Sequence, residues 1–238
     1  MSESIGREFM RKTRYECLAP SPQSQGTPAP PLELPIPPTA RLIDLPAPGE
    51  LEIPAMDLRA AIERRRSVRK YSDESLRVDE LSYLLWATQG VKSVTPRSAT
   101  LRTVPSAGAR HAFETYLLLN RVEGLPPGMY RYAALRHALW EFDLSPEIND
   151  RLTGAALGQQ QVRSSAATFI WVAVPNRMTW RYVERGYRYL HLDAGHVCQN
   201  LHLAGESIGC GTCAIAAFQD EEMISWPKTG PTVCRVKD

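Results

Sequence analysis

The stretch TYLLLNRVEGLPPGMYRYAALRHALWEF at residues 115–142 decides the fold class of this chain. It holds three short aromatic and aliphatic runs, at Thr115–Leu119, Met129–Tyr132 and Ala138–Phe142, with the turn sequence Gly124–Gly128 between the first two. Such runs predict antiparallel, hairpin-like strands. A further apolar run at Thr168–Val174 predicts a buried central strand.

Helices are predicted on either side of these strands. In the first of them, Leu58, Ala61 and Ile62 form one apolar face. Three predicted helices begin at the N-caps Asp57, Asp79 and Ser145, and Gly90 ends the one that begins at Asp79. A fourth, long helix is predicted from Trp180 to Ser207, with a Glu184–Arg188 ion pair and with Gly209 at its end. Together these elements predict an α+β domain with a central, mainly antiparallel sheet flanked by helices.

Composition limits the classes of function. The 238 residues are 43% hydrophobic, enough for one sizeable core, and carry a net charge of +2, which argues against a nucleic-acid partner. No apolar stretch is long enough to cross a bilayer, and the polar start MSESIGREFMRK lacks the hydrophobic segment of a signal peptide. We therefore expect a cytoplasmic protein without a membrane partner.

Residues 1–56 differ in composition from the rest of the chain. They contain a large share of the 19 prolines, which exclude a continuous helix or a central strand. The segment is therefore a flexible tail or an extended arm, and the apolar residues between the prolines favour an arm laid over the folded body or over a partner subunit. We expect the folded domain to cover residues 57–222.

The five cysteines are odd in number and scattered, so a disulfide framework is not expected. Cys210 and Cys213 have the CxxC spacing of redox and metal sites, but no second pair supplies the remaining zinc ligands. This motif leads into the small apolar run Cys213–Phe218, which predicts a strand. We therefore expect no metal.

Three separated segments carry candidate binding chemistry. The run at Arg64–Tyr71 joins several guanidinium groups to one serine hydroxyl, a combination that binds phosphate, although a solvated basic patch has the same composition. Pro105–Gly108 brings the backbone close to a flat or bulky partner unless it is an ordinary surface loop. Gly209–Phe218 has small side chains that leave room for a ligand or for close helix packing.

These segments have a specific resemblance. RRRSVRKYS, LSYLLWATQGV, LRTVPSAGARHAFETYLLL, GMYRY, TWRYVERGYRYLHLDAGHVCQNLHLAGESIG and GTCAIAAF occur in an order that resembles the nitroreductase-like flavoproteins of the SagB or thiazoline/oxazoline-oxidase type. The resemblance covers most of residues 1–222. It implies an FMN-binding α+β fold, a homodimer with flavin at the subunit interface, and hydride transfer through flavin N5 to or from a small-molecule or peptide azoline substrate. NAD(P)H remains open as a reductant.

The resemblance also assigns roles by position. It places Arg65, Arg66, Ser67 and Arg69 on the FMN phosphate and ribityl end, Pro105, Ser106, Ala107 and Gly108 beside the isoalloxazine ring, and Ala216 and Ala217 on a strand whose backbone faces that ring. Related azoline oxidases have a catalytic Lys-Tyr pair where this chain has Arg181 and Tyr182. Arginine stays charged and is a poor general base, so Arg181 is expected to stabilise negative charge and Tyr182 to pass a proton.

The chain departs from the family pattern after Glu222. Residues 223–238 replace the family's final helix and strand, and we expect a disordered tail there. This departure keeps a rival hypothesis open, a non-enzymatic flavin-binding or scaffolding remnant that has lost the C-terminal FMN-binding strand. A third hypothesis is a phosphate- or nucleotide-binding module that uses only the arginine run.

Overall fold

The computed structural model describes residues 3–224, which form an α+β fold as predicted. Five strands make one antiparallel sheet in the order β1-β6-β5-β4-β7, and β2 pairs with β3 in a separate hairpin. The strands are β1 (Leu42–Asp44), β2 (Val91–Thr95), β3 (Ala99–Arg102), β4 (Phe113–Leu119), β5 (Gly128–Ala133), β6 (Ala138–Asp143) and β7 (Ala167–Ala173). The helices are α1 (Ile5–Lys12), α2 (Leu58–Arg64), α3 (Val78–Gln89), α4 (Ile148–Ala155), α5 (Gln160–Ser164), α6 (Pro175–Tyr182), α7 (Gly186–Ser207) and α8 (Asp220–Ile224).

Strand β4 is buried on both faces and organises the core. Its side chains alternate, so Leu117 and Leu119 pack in one apolar cluster with α3, while Tyr116 and Leu118 pack in another with α4. The hairpin partners predicted from the sequence are confirmed, since Leu117 lies opposite Tyr130 of β5. The sheet therefore has helices on both of its faces.

Strand β7 lies at an edge of the sheet, and the prediction of a central position is wrong. Within residues 3–224 it pairs with β4 alone, and all seven of its residues are half-buried. Its apolar composition is that of a strand covered on both sides. The apolar run therefore correctly predicted a strand, but the described residues do not cover the outer edge of that strand.

The long predicted helix is divided into two helices. Helix α6 ends at Tyr182, a single 3₁₀ turn follows at Val183–Arg185, and α7 begins at Gly186. Val183 has a positive φ of 43°, which a β-branched residue adopts only under tertiary constraint. The predicted Glu184–Arg188 pair is absent from the described ion pairs, because Arg188 instead binds Thr13 and the Met10 carbonyl of the arm.

Three other helix predictions need correction. Arg77, not Asp79, is the N-cap of α3, and the amide of Glu80 donates to the Asp79 carboxylate from inside the first turn. The helix predicted at Ser145 begins at Ile148. Asp57 does cap α2 by accepting from the Ala60 amide, and Ala61 is buried as predicted. The other two members of that face, Leu58 and Ile62, are 64% and 53% exposed.

The proline-rich arm packs on its own chain. Arg131 donates to the Leu34 and Pro35 carbonyls, and Arg177 donates to the Pro31 carbonyl. Both guanidinium groups are almost fully buried, and Glu114 forms an ion pair with each of them. The arm thus covers a buried charge cluster and supplies three carbonyl acceptors to it, which ties its position to the sheet.

The structure bears on two further expectations. Helix α8 includes the first two residues of the predicted tail, and residues 225–238 lie outside the described part of the chain. Among the helices of residues 3–224, none is both long enough and apolar enough to span a membrane.

Candidate functional site

The predicted loop Pro105–Gly108 lies against the C-terminal end of α6. Gly108 has a φ of +58°, and a Cβ added there would lie 2.5 Å from the Tyr182 hydroxyl and 3.1 Å from Arg181 Cδ and Nε. Only glycine combines this left-handed conformation with so close an approach. The structure therefore brings together the loop and both predicted catalytic residues, Arg181 and Tyr182.

The surroundings of the loop are cationic. The Arg110 side chain donates to the Gly108 carbonyl at 3.1 Å, and its guanidinium group lies 5.1 Å from the centre of the Trp180 ring. Burial and the nearby charge of Arg181 both lower the pKa of Arg110. Two guanidinium groups close to one loop favour an anion or an electron-rich ring.

Asp193 of α7 holds the loop from the other side. Its Oδ1 accepts from the Ala107 amide at 3.3 Å, and Ser106 accepts from the His111 amide through its hydroxyl oxygen at 2.9 Å. Burial raises the pKa of Asp193. His111 is itself buried, and desolvation lowers its pKa to about 3, so it is a neutral packing residue rather than a proton carrier at neutral pH.

The predicted arginine run lies beside the glycine-rich segment after α7. The Val68 amide donates to the Thr212 carbonyl at 2.9 Å, and Ser67 forms a parallel bridge with Thr212. A Cβ at Gly211 would lie 2.7 Å from Cβ of Val68, so glycine is required for the contact. Thr212 and His202 form a short side-chain hydrogen bond, and the positive charge of Arg65 is one cause, after burial, that lowers the pKa of His202.

The guanidinium groups of this run are available to a ligand. Among residues 3–224, no carboxylate forms an ion pair with the side chains of Arg65, Arg66 or Arg69. Arg66 and Arg69 are exposed, and Arg65 is half-buried. A phosphate satisfies such a cluster with bidentate, charge-assisted hydrogen bonds.

Helix α7 separates the two groups of predicted residues. Asp193 contacts the loop Pro105–Gly108, and His202 contacts the segment that carries Ser67. Nine residues make two and a half turns, about 14 Å along the axis, so these two contacts lie on opposite sides of α7. One chain therefore presents two half-sites, which we name the loop half-site and the arginine half-site.

An open cavity of 1430 Å³ lies between the exposed edge of β7 and α7. It borders the arginine half-site, and its lining includes Tyr71, Cys198, His202, Thr212 and Trp171. Burial raises the pKa of Tyr71 to about 12 and also raises the pKa of the Cys198 thiol. Neither group is a ready base or nucleophile at neutral pH.

The strand predicted at Cys213–Phe218 does not form. Ala216 and Ala217 are exposed in irregular backbone, and the Ala217 carbonyl accepts from the Gln159 side chain at 2.8 Å. The Gln219 amide bonds to the Ala155 carbonyl at the end of α4, so this segment runs along a helix end and has no neighbouring strand to pair with. Alanine-rich sequence also has little intrinsic strand preference.

The two half-sites fit a ligand that carries a phosphate at one end and a flat polar ring at the other. Free guanidinium groups suit the phosphate. The glycine at position 108 lets backbone approach closely. Two buried polar atoms, Asp193 Oδ2 and Trp171 Nε1, have no partner among the described residues; Asp193 bonds to Ala107 of the loop, and Trp171 belongs to the same apolar cluster as Ala107. Sequence reasoning missed Asp193 as a site residue, because nothing in its position along the predicted helix links it to Ala107 of the loop.

Comparison with known proteins identifies the family to which this α+β fold belongs. Residues 62–226 match the Nitroreductase family, and the chain belongs to that family. The resemblance of the sequence to nitroreductase-like proteins and the predicted α+β fold class are thereby confirmed. Proteins of this family generally bind FMN.

Three relatives illustrate the range of similarity. A candidate nitroreductase of Methanocaldococcus jannaschii is 36% identical over 177 residues, which cover 73% of this chain and 87% of the relative. The trifolitoxin-processing protein TfxB of Rhizobium leguminosarum bv. trifolii is 29% identical over 133 residues, covering 54% of this chain and 36% of that protein. The crystal structure of a candidate nitroreductase from Anabaena variabilis superposes with a TM-score of 0.64 at 28% identity, covering 79% of this chain and 38% of that one. The chain thus spans little more than a third of the last two.

Proposed function

We propose that this protein is an FMN-dependent oxidoreductase of the SagB type. The observation that carries the proposal is the pair of half-sites: guanidinium groups that form no ion pair within residues 3–224, and a glycine-dependent loop that contacts Arg181 and Tyr182. When FMN is bound, it supplies hydride acceptance and donation at N5, and the protein supplies anchoring, orientation and charge.

The arginine half-site would hold the phosphate. Arg65, Arg66 and Arg69 provide charged donors, and the Ser67 hydroxyl adds a neutral one. Because Ser67 bridges Thr212, the backbone that carries these groups is fixed against the segment that follows α7. These contacts would fix the phosphate end of the ligand and leave its ring free to react.

The loop half-site would hold the ring. Pro105–Gly108 offers backbone at close range, and Arg181 keeps a positive charge beside it that stabilises negative charge on the ring or substrate. The Tyr182 hydroxyl touches Gly108 and is in position to pass a proton. Its ring packs edge-on against Tyr189 at 4.8 Å, which fixes its orientation.

We propose that a homodimer completes the site. The two half-sites lie on opposite sides of α7 in one chain, so a ligand that contacts both needs a second copy. Leu58, Ile62 and Leu192, each more than half exposed, lie on α2 and α7 and supply apolar surface for such an interface. Analytical ultracentrifugation tests this, and a monomer that still binds FMN through both half-sites would contradict it.

The substrate class follows from the relatives only by analogy. One relative is named a trifolitoxin-processing protein, which supports a role in processing a larger molecule, and the sequence resemblance supplies the azoline in a peptide or a small molecule as the proposed substrate. Oxidation of an azoline to an azole would leave the product about two mass units lighter. NAD(P)H is a further candidate reductant in a reductase direction.

The first experiment measures FMN affinity by fluorescence quenching for the wild type and single variants. Arg66→Gln and Arg69→Gln are expected to raise the Kd for FMN by roughly 10- to 100-fold, the cost of one charged hydrogen bond. Arg59→Gln is the matched control, since Arg59 lies on α2 and pairs with Glu63 outside the half-site. Riboflavin lacks the phosphate, so its Kd should stay the same in all variants.

Turnover separates the proposal from its rival. Bound FMN with oxidation of NAD(P)H or of an azoline supports an oxidoreductase. Bound FMN without turnover against nitroaromatic, quinone or azoline compounds favours the non-enzymatic remnant. Phosphate binding that survives replacement of Pro105–Gly108 and shows no preference for FMN favours a simple phosphate-binding module.

A further inference from the structure

Asp193 has two carboxylate oxygens in different surroundings. Oδ1 accepts from the Ala107 amide at 3.3 Å. Oδ2 is buried and has no hydrogen-bond partner in residues 3–224, and Asp193 as a whole is only 4% exposed. A buried acceptor without a donor costs free energy, so such an atom calls for an explanation such as an absent ligand or water.

A second polar atom near this loop is also unpaired. Trp171 Nε1 on β7 is buried without a partner in the described part of the chain. Trp171 belongs to the same apolar cluster as Ala107, which bonds to Asp193, and Ala194, which follows it. Trp171 and Ala194 both line the cavity beside β7. The unpaired donor therefore belongs to a side chain of the apolar cluster that Ala107 of the loop joins, and the unpaired acceptor belongs to the residue that bonds to Ala107.

The charges around Asp193 do not neutralise it. The loop contributes the Ser106 hydroxyl and the Ala107 amide, and α7 contributes His196. In the adjoining apolar cluster, β7 contributes the uncharged side chains of Trp171 and Ala173, and the remaining titratable groups are the phenols of Tyr182, Tyr187 and Tyr189. Within the described residues, no arginine or lysine forms an ion pair with this carboxylate. Burial is the largest influence and raises the pKa of Asp193, while the nearby Ser106 hydroxyl, the Ala107 amide and His196 lower it.

We propose that Asp193 is a positioning residue of the loop half-site that also binds its occupant. Oδ1 fixes the Ala107 amide, and Oδ2 accepts a hydrogen bond from an N–H or O–H donor of a flat heteroaromatic ligand. The proposal rests on the proposed function only in the choice of FMN as the probe. Its structural consequence is independent of any flavin: without a ligand, the protein carries an unpaired buried carboxylate that destabilises it.

The first test uses cofactor-free protein. The raised pKa means that the protonated form is favoured on folding, so this contribution is present below the unfolded pKa near 3.8 and is lost as the pH rises through the folded pKa. Asparagine cannot ionise. The Tm of Asp193→Asn should therefore rise relative to wild type between pH 4 and pH 8, by about 2 °C or more. Asp150→Asn, at an exposed position of α4 where the carboxylate pairs with Arg163, is the control and should show no such rise.

The second test measures ligand binding. Asp193→Asn can keep the oxygen that faces Ala107 and replaces the other with a donor, so the Kd for FMN should rise by about tenfold or more. Asp193→Ala should in addition speed hydrogen exchange at the Ala107 amide. If Asp193→Asn leaves the Kd for FMN unchanged, Asp193 does not bind the ligand. If the Tm of Asp193→Asn does not rise with pH relative to wild type, the Asp193 carboxylate is not an unpaired, destabilising group. If wild type binds no FMN, the proposed function fails, and the Tm series still decides for or against Asp193.

Discussion

Gly108→Ala tests the geometry that joins the loop to Tyr182. The φ of +58° at Gly108 disfavours alanine by roughly 1–2 kcal/mol. The new Cβ would also lie 2.5 Å from the Tyr182 hydroxyl, so that oxygen must retreat by about 1 Å to reach normal contact. The hydroxyl lies at the end of a side chain that can turn, and we therefore expect the ring to move rather than the backbone.

Gly124→Ala provides a matched control. Gly124 has a φ of +73° but nothing within 4 Å of the added Cβ, so it carries the same backbone strain without the contact. Both variants should lose about 1–2 kcal/mol of stability, a fall of roughly 2–8 °C in Tm. Turnover with bound FMN should fall about 100-fold only in Gly108→Ala, because a displacement near 1 Å in a catalytic group has that effect. Equal turnover in the two variants would refute the role given to this contact.

Three further predictions concern stability. Glu114→Gln should cost about 3–5 kcal/mol in urea unfolding, because two buried arginines lose their carboxylate; a loss below 1 kcal/mol would contradict the charge cluster. Gly211→Ala should cost about 1–3 kcal/mol and weaken FMN binding, since its Cβ meets the branched side chain of Val68; unchanged Tm and Kd would count against that contact. The pKa of His111 is lowered to about 3, so its neutral form stabilises the fold above pH 6.5, and about 2 kcal/mol of that stability should be lost between pH 6.5 and pH 5. The stability of His111→Gln measured over the same pH range is the reference. If the two pH profiles run parallel, His111 is not held neutral in the fold.

The sequence predicted the antiparallel hairpins because their signals are local. Gly124–Gly128 turns the chain, and the flanking runs pair in the expected order. The position of β7 depends on what covers its outer edge, and its apolar composition carries no information about which chain supplies that cover. The break at Val183 was also hidden, since helical periodicity continues across it and its positive φ arises from tertiary contacts.

The candidate site shows the same division between local and non-local information. Arginine-rich and glycine-containing segments were recognised because their side chains carry the chemistry themselves. Asp193 was not, because its role depends on the Ala107 amide, which is 86 residues away in sequence. Ala216 and Ala217 have the small side chains of a ligand-facing strand. A strand needs a neighbouring strand to pair with, however, and the Ala217 carbonyl instead accepts a hydrogen bond from the Gln159 side chain.

Helix α7 connects these observations. It carries the Asp193 contact to the loop half-site and, two and a half turns later, the His202 contact to the arginine half-site. Because a helix turns its side chains around the axis, contacts nine residues apart point to opposite sides of α7, and we do not expect one chain to direct both towards one ligand. A two-fold pair of α7 helices can, since the second copy presents the opposite half-site to the first. Charge repulsion introduced at the exposed Leu192, by Leu192→Glu, should therefore weaken dimerisation and FMN binding together, and tight FMN binding by a Leu192→Glu monomer would show that one chain suffices.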